Sequence, residues 1–335
     1  MPRHTPGFPA GMAYPAFIIG SLNLSSSHLD DNFNLARKKE ALHLRARLIQ
    51  NIRLFFIEHG FLEVETPLRI PSPAPEEHIE AFPSGDWFLQ TSPELCMKRL
   101  LAAGFPLIFQ ISKCLRAGER GNLHLPEFTM LEWYVAKFDY LQLMSQCEEM
   151  IFTVANNMDI VTHCSFRNKK INLTPPWEKI TLQEAFEKYA PVTLEEALVA
   201  DKFDETLVDY IEPRLGIDRP TFLYDYPLKL ASLAKLKKGN HSIGERFELY
   251  IGGMEIANGF SELNDAKEQR QRFEQALQLR AQKNWTQYSM PEKFLTALQN
   301  MPESAGIALG IDRLAMIFAN VLQIDDIIFF TPEIL

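Results

Sequence analysis

Leu44, Leu48, Ile52, Phe55 and Phe56 recur at the spacing of one helical face, interspersed with Arg45, Arg47 and Arg53, and Gly60 supplies a stop. The pattern predicts a helix there, followed by a strand from Phe61 to Thr66 that Pro67 closes. Ser92-Pro93-Glu94 offers a capping hydroxyl, a proline at the first helical position and an acid in the first turn, which predicts a helix running to about Gly104. Pro106 to Arg116 and Glu127 to Ala136 alternate like two strands of a hairpin, joined by a polar loop carrying Arg120, Asn122 and His124. One face of the second strand presents Phe128, Met130, Glu132 and Tyr134. Residues 140–220 read as more helical, with capping boxes at Thr181…Glu184 and Thr193…Glu196. The last third returns to strands at Phe247–Ile251, Met254–Asn258 and Ile307–Ile311, and closes with a helix carrying Leu314, Ile317, Phe318 and Val321. Strands paired by hairpins with helices between them predict an α+β domain, an antiparallel sheet flanked by helices.

Composition narrows the classes. A chain of 335 residues, 46% hydrophobic and 23% charged, can bury a large core. A net charge of −9 argues against a main task of coating nucleic acid and suits a small cationic substrate or a protein partner. Cys96, Cys114, Cys147 and Cys164 form no C-x-x-C pair, so neither a disulfide framework nor a zinc site is expected, and the cytoplasm is the simplest home. Met12 to Gly20 is apolar but broken by Pro15, which favours a poorly ordered leader over residues 1–30 rather than a secretion signal. Residues 31–335 then form the catalytic domain, with a less distinctive region at about 150–220.

Three segments carry candidate chemistry. In FELYIGGMEIAN, a turn at Gly252-Gly253 puts Tyr250 opposite Glu255 and Glu248 diagonally across on the same face. Two acids that close suit Mg²⁺ bridging to a polyphosphate, and equally suit a solvated sheet face. Arg116, His124 and Phe128 share a face fit for a nucleotide, guanidinium for phosphate and ring for base; an ordinary core phenylalanine beside a surface arginine gives the same pattern. In GIALGIDRLAMIF, Asp312 reads as the helix cap and Arg313 falls in the first helical turn, where the helix dipole disfavours a cation. Such a conflict marks either an anion site or an idle surface arginine.

In order, these segments resemble the three signature motifs of class II aminoacyl-tRNA synthetases, most closely the lysyl enzymes. The long helix, strand and Pro67 resemble motif 1, the dimer element; LRAGERGNLHLPEFTMLEWY resembles motif 2; GIALGIDRL resembles motif 3; and EIANGFSELND is similar to the lysyl stretch before motif 3. The likeness covers roughly residues 40–150 and 220–335. Only a short tail precedes the motif 1 helix, so no anticodon-binding domain is expected, and the chain looks like the truncated lysyl-synthetase paralogues that attach (R)-β-lysine to a lysine of elongation factor P. Ala308, where the lysyl enzymes have the central glycine of Gly-x-Gly-x-Gly, and Ser92, where they have alanine, point the same way.

The resemblance implies roles. Arg116 would hold the α-phosphate, His124 and Arg313 the outer phosphates, and Phe128 the adenine; Ala117, Gly118, Glu119, Glu255, Ile256 and Gly310 complete an ATP site. Glu248 and Glu255 would hold Mg²⁺. Ser92, Pro93, Glu94, Glu132, Tyr134, Asn258, Glu262 and Ala308 would line the amino-acid site, where three carboxylates answer two ammonium groups. Arg116 and Arg313 are the catalytic pair. The family's Arg-x-Glu becomes Arg116-Ala117-Gly118 with the acid one place later at Glu119, and its asparagine after the motif 2 histidine becomes Leu125. The expected reaction is ATP-dependent adenylation of (R)-β-lysine or lysine by a cytoplasmic homodimer, then transfer to elongation factor P. A minimal enzyme charging tRNA and a non-catalytic diamino-acid sensor are the rival readings, the first disfavoured by charge and the second by retention of phosphate and metal groups.

Overall fold

Helix α1 (Lys39–Glu58) buries Leu48, Ile52, Phe55 and Phe56, the stripe expected of it. Gly60 at φ +77° ends it, and Phe61 N–H donates back to Phe56 O at 3.0 Å, the six-to-one bond that closes a helix on a left-handed residue. This computed structural model describes residues 35–160 and 162–335, so the leader expected over 1–30 lies outside the described residues. Lys38–Leu335 form one compact unit.

The strands are β1 (Leu62–Glu63), β2 (Arg69–Ile70), β3 (Pro83–Ser84), β4 (Trp87–Leu89), β5 (Leu107–Leu115), β6 (Glu127–Ala136), β7 (His163–Phe166), β8 (Lys169–Asn172), β9 (Glu178–Thr181), β10 (Thr221–Pro227), β11 (Leu236–Lys237), β12 (Asn240–Ile251), β13 (Met254–Ser261) and β14 (Ser304–Gly310). The main sheet runs β1-β5-β6-β14-β13-β12-β10-β9, with β11 on β12. Among the described residues, only β1–β5 and β9–β10 pair in parallel. β1 is shorter than expected because Thr66 N–H turns to the Gln110 side chain at 3.1 Å instead of a neighbouring strand. Strands β7 to β11 fall where helix or nothing was expected. They are short, and β10 is buried at Thr221, Phe222 and Leu223 in a row, which removes the alternation that marks a half-exposed strand.

The remaining helices are α2 (Glu94–Ala102), α3 (Tyr140–Asn157), α4 (Leu182–Tyr189), α5 (Leu194–Val199), α6 (Phe203–Thr206), α7 (Ala266–Gln282), α8 (Glu292–Leu298) and α9 (Ile311–Ala319). Both predicted capping boxes form, at α4 and α5. Helices α1, α3 and α9 cover one face of the sheet, where Phe56, Trp133, Met150, Ile307 and Ile317 share the main core. The other face of β6, β12, β13 and β14 is left to the site.

Candidate active site

That second face floors a cavity of about 1400 Å³. Arg116 follows β5, and its guanidinium carbon lies 5.2 Å from the centre of the Phe128 ring on β6. Gly118 at φ +80° turns the loop, so that Glu119 points back into the cavity with a carboxylate oxygen 3.9 Å from Arg116 Nη1. The acid displaced by one position in sequence is thereby returned to the motif 2 arginine. Ala117 and Gly118 serve by backbone: Ala117 N–H donates to Glu80 O at 2.7 Å, and neither residue lines the cavity. Leu125 sits in the main core, so the family's polar group there is replaced by packing.

Asp312 is not the cap of α9. Gly310 holds that position, and the Asp312 carboxylate instead accepts from Thr129 N–H at 2.7 Å and from Arg45 Nε at 2.8 Å. Arg313 reaches over the cavity from the first turn, donating from Nη1 to Glu255 O at 2.8 Å and from Nη2 to His124 Nε2 at 2.5 Å. Burial and the Arg313 charge hold His124 below the usual imidazole range, so the ring is a neutral acceptor. The dipole conflict seen in sequence is thus settled by placing the cation among acceptors.

Tyr250 does oppose Glu255, but a bulge follows, and Glu248 opposes Asn258. The extra residue on β13 keeps Glu255 and Asn258 on the cavity face together. Glu248 accepts from Arg246 Nη2 at 2.6 Å and from Tyr250 O–H at 2.7 Å. Burial raises its carboxyl even so, and Glu212 beside it is pushed up to about 7 by burial and by Glu255 and Glu248. No group of three or more metal-ligating side chains is gathered among the described residues. The set nonetheless fits Mg²⁺, which takes one or two protein carboxylates and completes its shell with phosphate and water.

At the amino-acid end, Ser92 Oγ accepts from Glu94 N–H at 3.0 Å and donates to Glu132 Oε1 at 2.5 Å. Pro93, not Ser92, is the cap residue of α2, one place later than expected, and the Ser92 hydroxyl serves the Glu94 N–H and the pocket from just outside the helix. Tyr134 O–H donates to Glu132 Oε2 at 2.8 Å, and burial, then Glu94, push Glu132 up to about 7. Ala308 lies between Glu132 and Asn258 on the sheet, facing the cavity. Pro93 shapes the start of α2 without lining the cavity. Glu262 is not at the wall either: its side chain is 0% exposed and pairs with Lys98. Gly306 permits this, since a Cβ there would collide with both Tyr134 and Glu262. Lys98, Arg246, Glu76 and Glu212 are site residues that the sequence reading missed. Lys98 stands four places after Glu94 and Arg246 two before Glu248, spacings that place each partner on the same face and were legible in principle.

The family model for tRNA synthetases class II (D, K and N) matches residues 22–333. The chain belongs to that family. Among curated relatives, the elongation factor P–(R)-β-lysine ligase of Pectobacterium carotovorum is 38% identical over 308 residues, 86% of this chain and 94% of its own. The ligases of the same name from Proteus mirabilis, 37% identical over 85% of this chain and 93% of theirs, and Haemophilus influenzae, 38% over 86% and 94%, are similar to the same extent. Membership of the class II family accords with the antiparallel sheet and the cavity on its open face.

Proposed function

We propose that the chain is an AMP-forming ligase that activates (R)-β-lysine with ATP and transfers it to a lysine side chain of elongation factor P. One observation carries this reading: a single cavity is lined both by the guanidinium groups of Arg116 and Arg313 and by the buried carboxylates Glu94 and Glu132. The guanidinium groups suit a polyphosphate, the buried carboxylates an amino acid with two ammonium groups. The relatives' names and the methyl group of Ala308 favour β-lysine over α-lysine.

In the first step the amino-acid carboxylate attacks the α-phosphorus, forming the new P–O bond as the bond to pyrophosphate breaks. The attacking group is already ionised, so no base is needed, and catalysis is positioning plus charge neutralisation by Arg116 and Arg313. Neutral His124 accepts from Arg313 and so orients its guanidinium. Glu248 and Glu255 would hold Mg²⁺, which would supply positive charge to the phosphates. Phe128 offers a face for adenine, with Ile256 and Gly310 beside it. In the second step the neutral ε-amine of the acceptor lysine attacks the adenylate carbonyl and AMP leaves; shedding the ammonium proton at pH 7 costs about 4–5 kcal/mol unless the site lowers that pKa.

The reading takes the enzyme as a cytoplasmic homodimer that does not charge tRNA. The four cysteines are free thiols, and no helix among the described residues is long and apolar enough to cross a membrane. The test is ATP–pyrophosphate exchange with (R)-β-lysine, α-lysine or no amino acid, followed by addition of elongation factor P or total tRNA. Exchange greatest with β-lysine and label passing to the protein is the expected outcome. Label passing to tRNA, or no exchange, rejects it.

A further inference from the structure

Lys98 is 1% exposed, deep on α2. Its ammonium lies 2.5 Å from Glu94 Oε1, contacts Glu262 Oε2, and sits 5.0 Å from the centre of the Phe260 ring. Two carboxylates and an aromatic face occupy its three N–H directions, which leaves none for a ligand. Glu94 and Phe260 line the cavity, whereas Lys98 and Glu262 do not. The lysine therefore stands behind the wall, outside the place a substrate takes. Burial alone would discharge it, but Glu262 and Glu94 more than offset that and hold it in the charged form. Neither Glu262 oxygen receives a well-directed hydrogen bond, so the contact with Lys98 is what meets its charge.

We infer that Lys98 is a positioning residue for the substrate's ammonium groups: it pins the Glu94 carboxylate at the cavity wall and neutralises Glu262 behind it. Lys98 balances part of the negative charge that Glu76, Glu94, Glu132 and Glu262 gather at this end of the cavity, and the remainder is left for the substrate. A diamino acid meets more of that charge than a monoamino acid, which leaves more carboxylate unpaired in a buried site. The inference rests on the amino-acid reading of this end of the cavity. Tyr134 and Glu132 from β6 and Glu76 from the segment before β3 are the other titratable groups around the cluster.

Calorimetric titration of the full chain with α-lysine, norleucine (the same chain without the ε-ammonium) and ATP tests it. Lys98→Met is expected to weaken lysine binding at least tenfold, the size of a lost charge-assisted contact, while ATP affinity stays within twofold and the lysine-to-norleucine ratio falls by about the same tenfold. Lys98→Arg is expected to restore most of the ratio. If Lys98→Met does not fold, the pair Lys98→Met/Glu262→Gln, which removes the fully buried Glu262 charge together with its cation, is compared with Glu262→Gln, and the same fall in ratio is expected. An unchanged ratio, a parallel loss for all three ligands, or a wild-type protein that does not prefer lysine overturns the inference. Wild-type pyrophosphate exchange is read separately: its absence rejects the activation chemistry and leaves the binding result on Lys98 to stand or fall by itself.

Discussion

Glu132 shows how one buried group ties pH to substrate. Its carboxyl is raised to about 7, so between the ordinary value near 4.5 and 7 the folded protein holds a proton that the unfolded chain releases. Stability of the empty enzyme therefore falls as pH rises through that window, because there the native state binds more protons. A dicationic ligand reverses the preference, since it favours the ionised carboxylate. Affinity for the diamino acid should accordingly rise about tenfold from pH 6 to pH 8 with proton release, and Glu132→Gln should flatten that dependence while weakening binding throughout. Titration in two buffers of different ionisation enthalpy reads both; a flat wild-type profile would sink the assignment. Ala308 acts by shape. Removing its methyl group in Ala308→Gly should lower the preference for β-lysine over α-lysine by about tenfold in pyrophosphate exchange, as expected for a single methyl in a snug pocket.

Between elements, the Arg45–Asp312–Thr129 contact joins α1, β6 and α9 at the cavity's margin, where Thr129 and Asp312 contribute to the lining. Asp312 is 2% exposed and Arg45 is held mostly out of water, so removing one partner strands the other. Asp312→Ala should destabilise the fold by about 3–5 kcal/mol, read as a lower urea midpoint, whereas Arg45→Leu/Asp312→Leu should lose much less. Equal losses would mean that the latch matters by packing and not by charge. The same contact shows where sequence reading stops. Its partners stand 267 residues apart, and Asp312 looked like a cap because Asp before a helical pattern is the local signature of one. Signals contained within one turn or one hairpin, such as the α1 stripe, the β5–β6 hairpin and both capping boxes, were legible, and the start of α2 was legible to within one residue. Strands β9 and β10 were not, because pairing with a distant strand makes them; β7, β8 and β11 pair with near neighbours but are only two to four residues long, and little in the local residues marks the bulge beside Tyr250. The carboxylates of the site were legible through the family motifs, but which of them reaches the wall depends on how Lys98 folds inward from α2.

For the whole molecule, charge and exposed apolar surface point to what it meets. Lys235, Lys237 and Lys238 form a short basic run of the kind that can meet nucleic acid. In the fold, Lys235 pairs with Glu303 at 2.6 Å and Lys237 with Asp225 at 2.5 Å, so two of the run's three lysines are already neutralised within the chain. With a net charge of −9, the molecule presents little to a phosphate backbone, and adding tRNA should leave the amino-acid exchange rate unchanged. Leu54 and Ile57 on α1 and Leu62 on β1, by contrast, are about half exposed, at 52%, 53% and 49%. Large apolar side chains exposed together along a helix and the strand after it are costly in water and are the usual material of a subunit interface. If this motif 1 surface joins two copies, sedimentation at micromolar concentration should give a dimer, and Ile57→Glu with Leu62→Glu should shift it to monomer by placing charges where apolar contact is needed. The pair lies on the surface of the single chain, so its folding should survive the change, and far-ultraviolet circular dichroism checks that. A wild-type monomer, or a double variant that still sediments as a dimer, would move the interface elsewhere and leave these residues as ordinary exposed apolar surface.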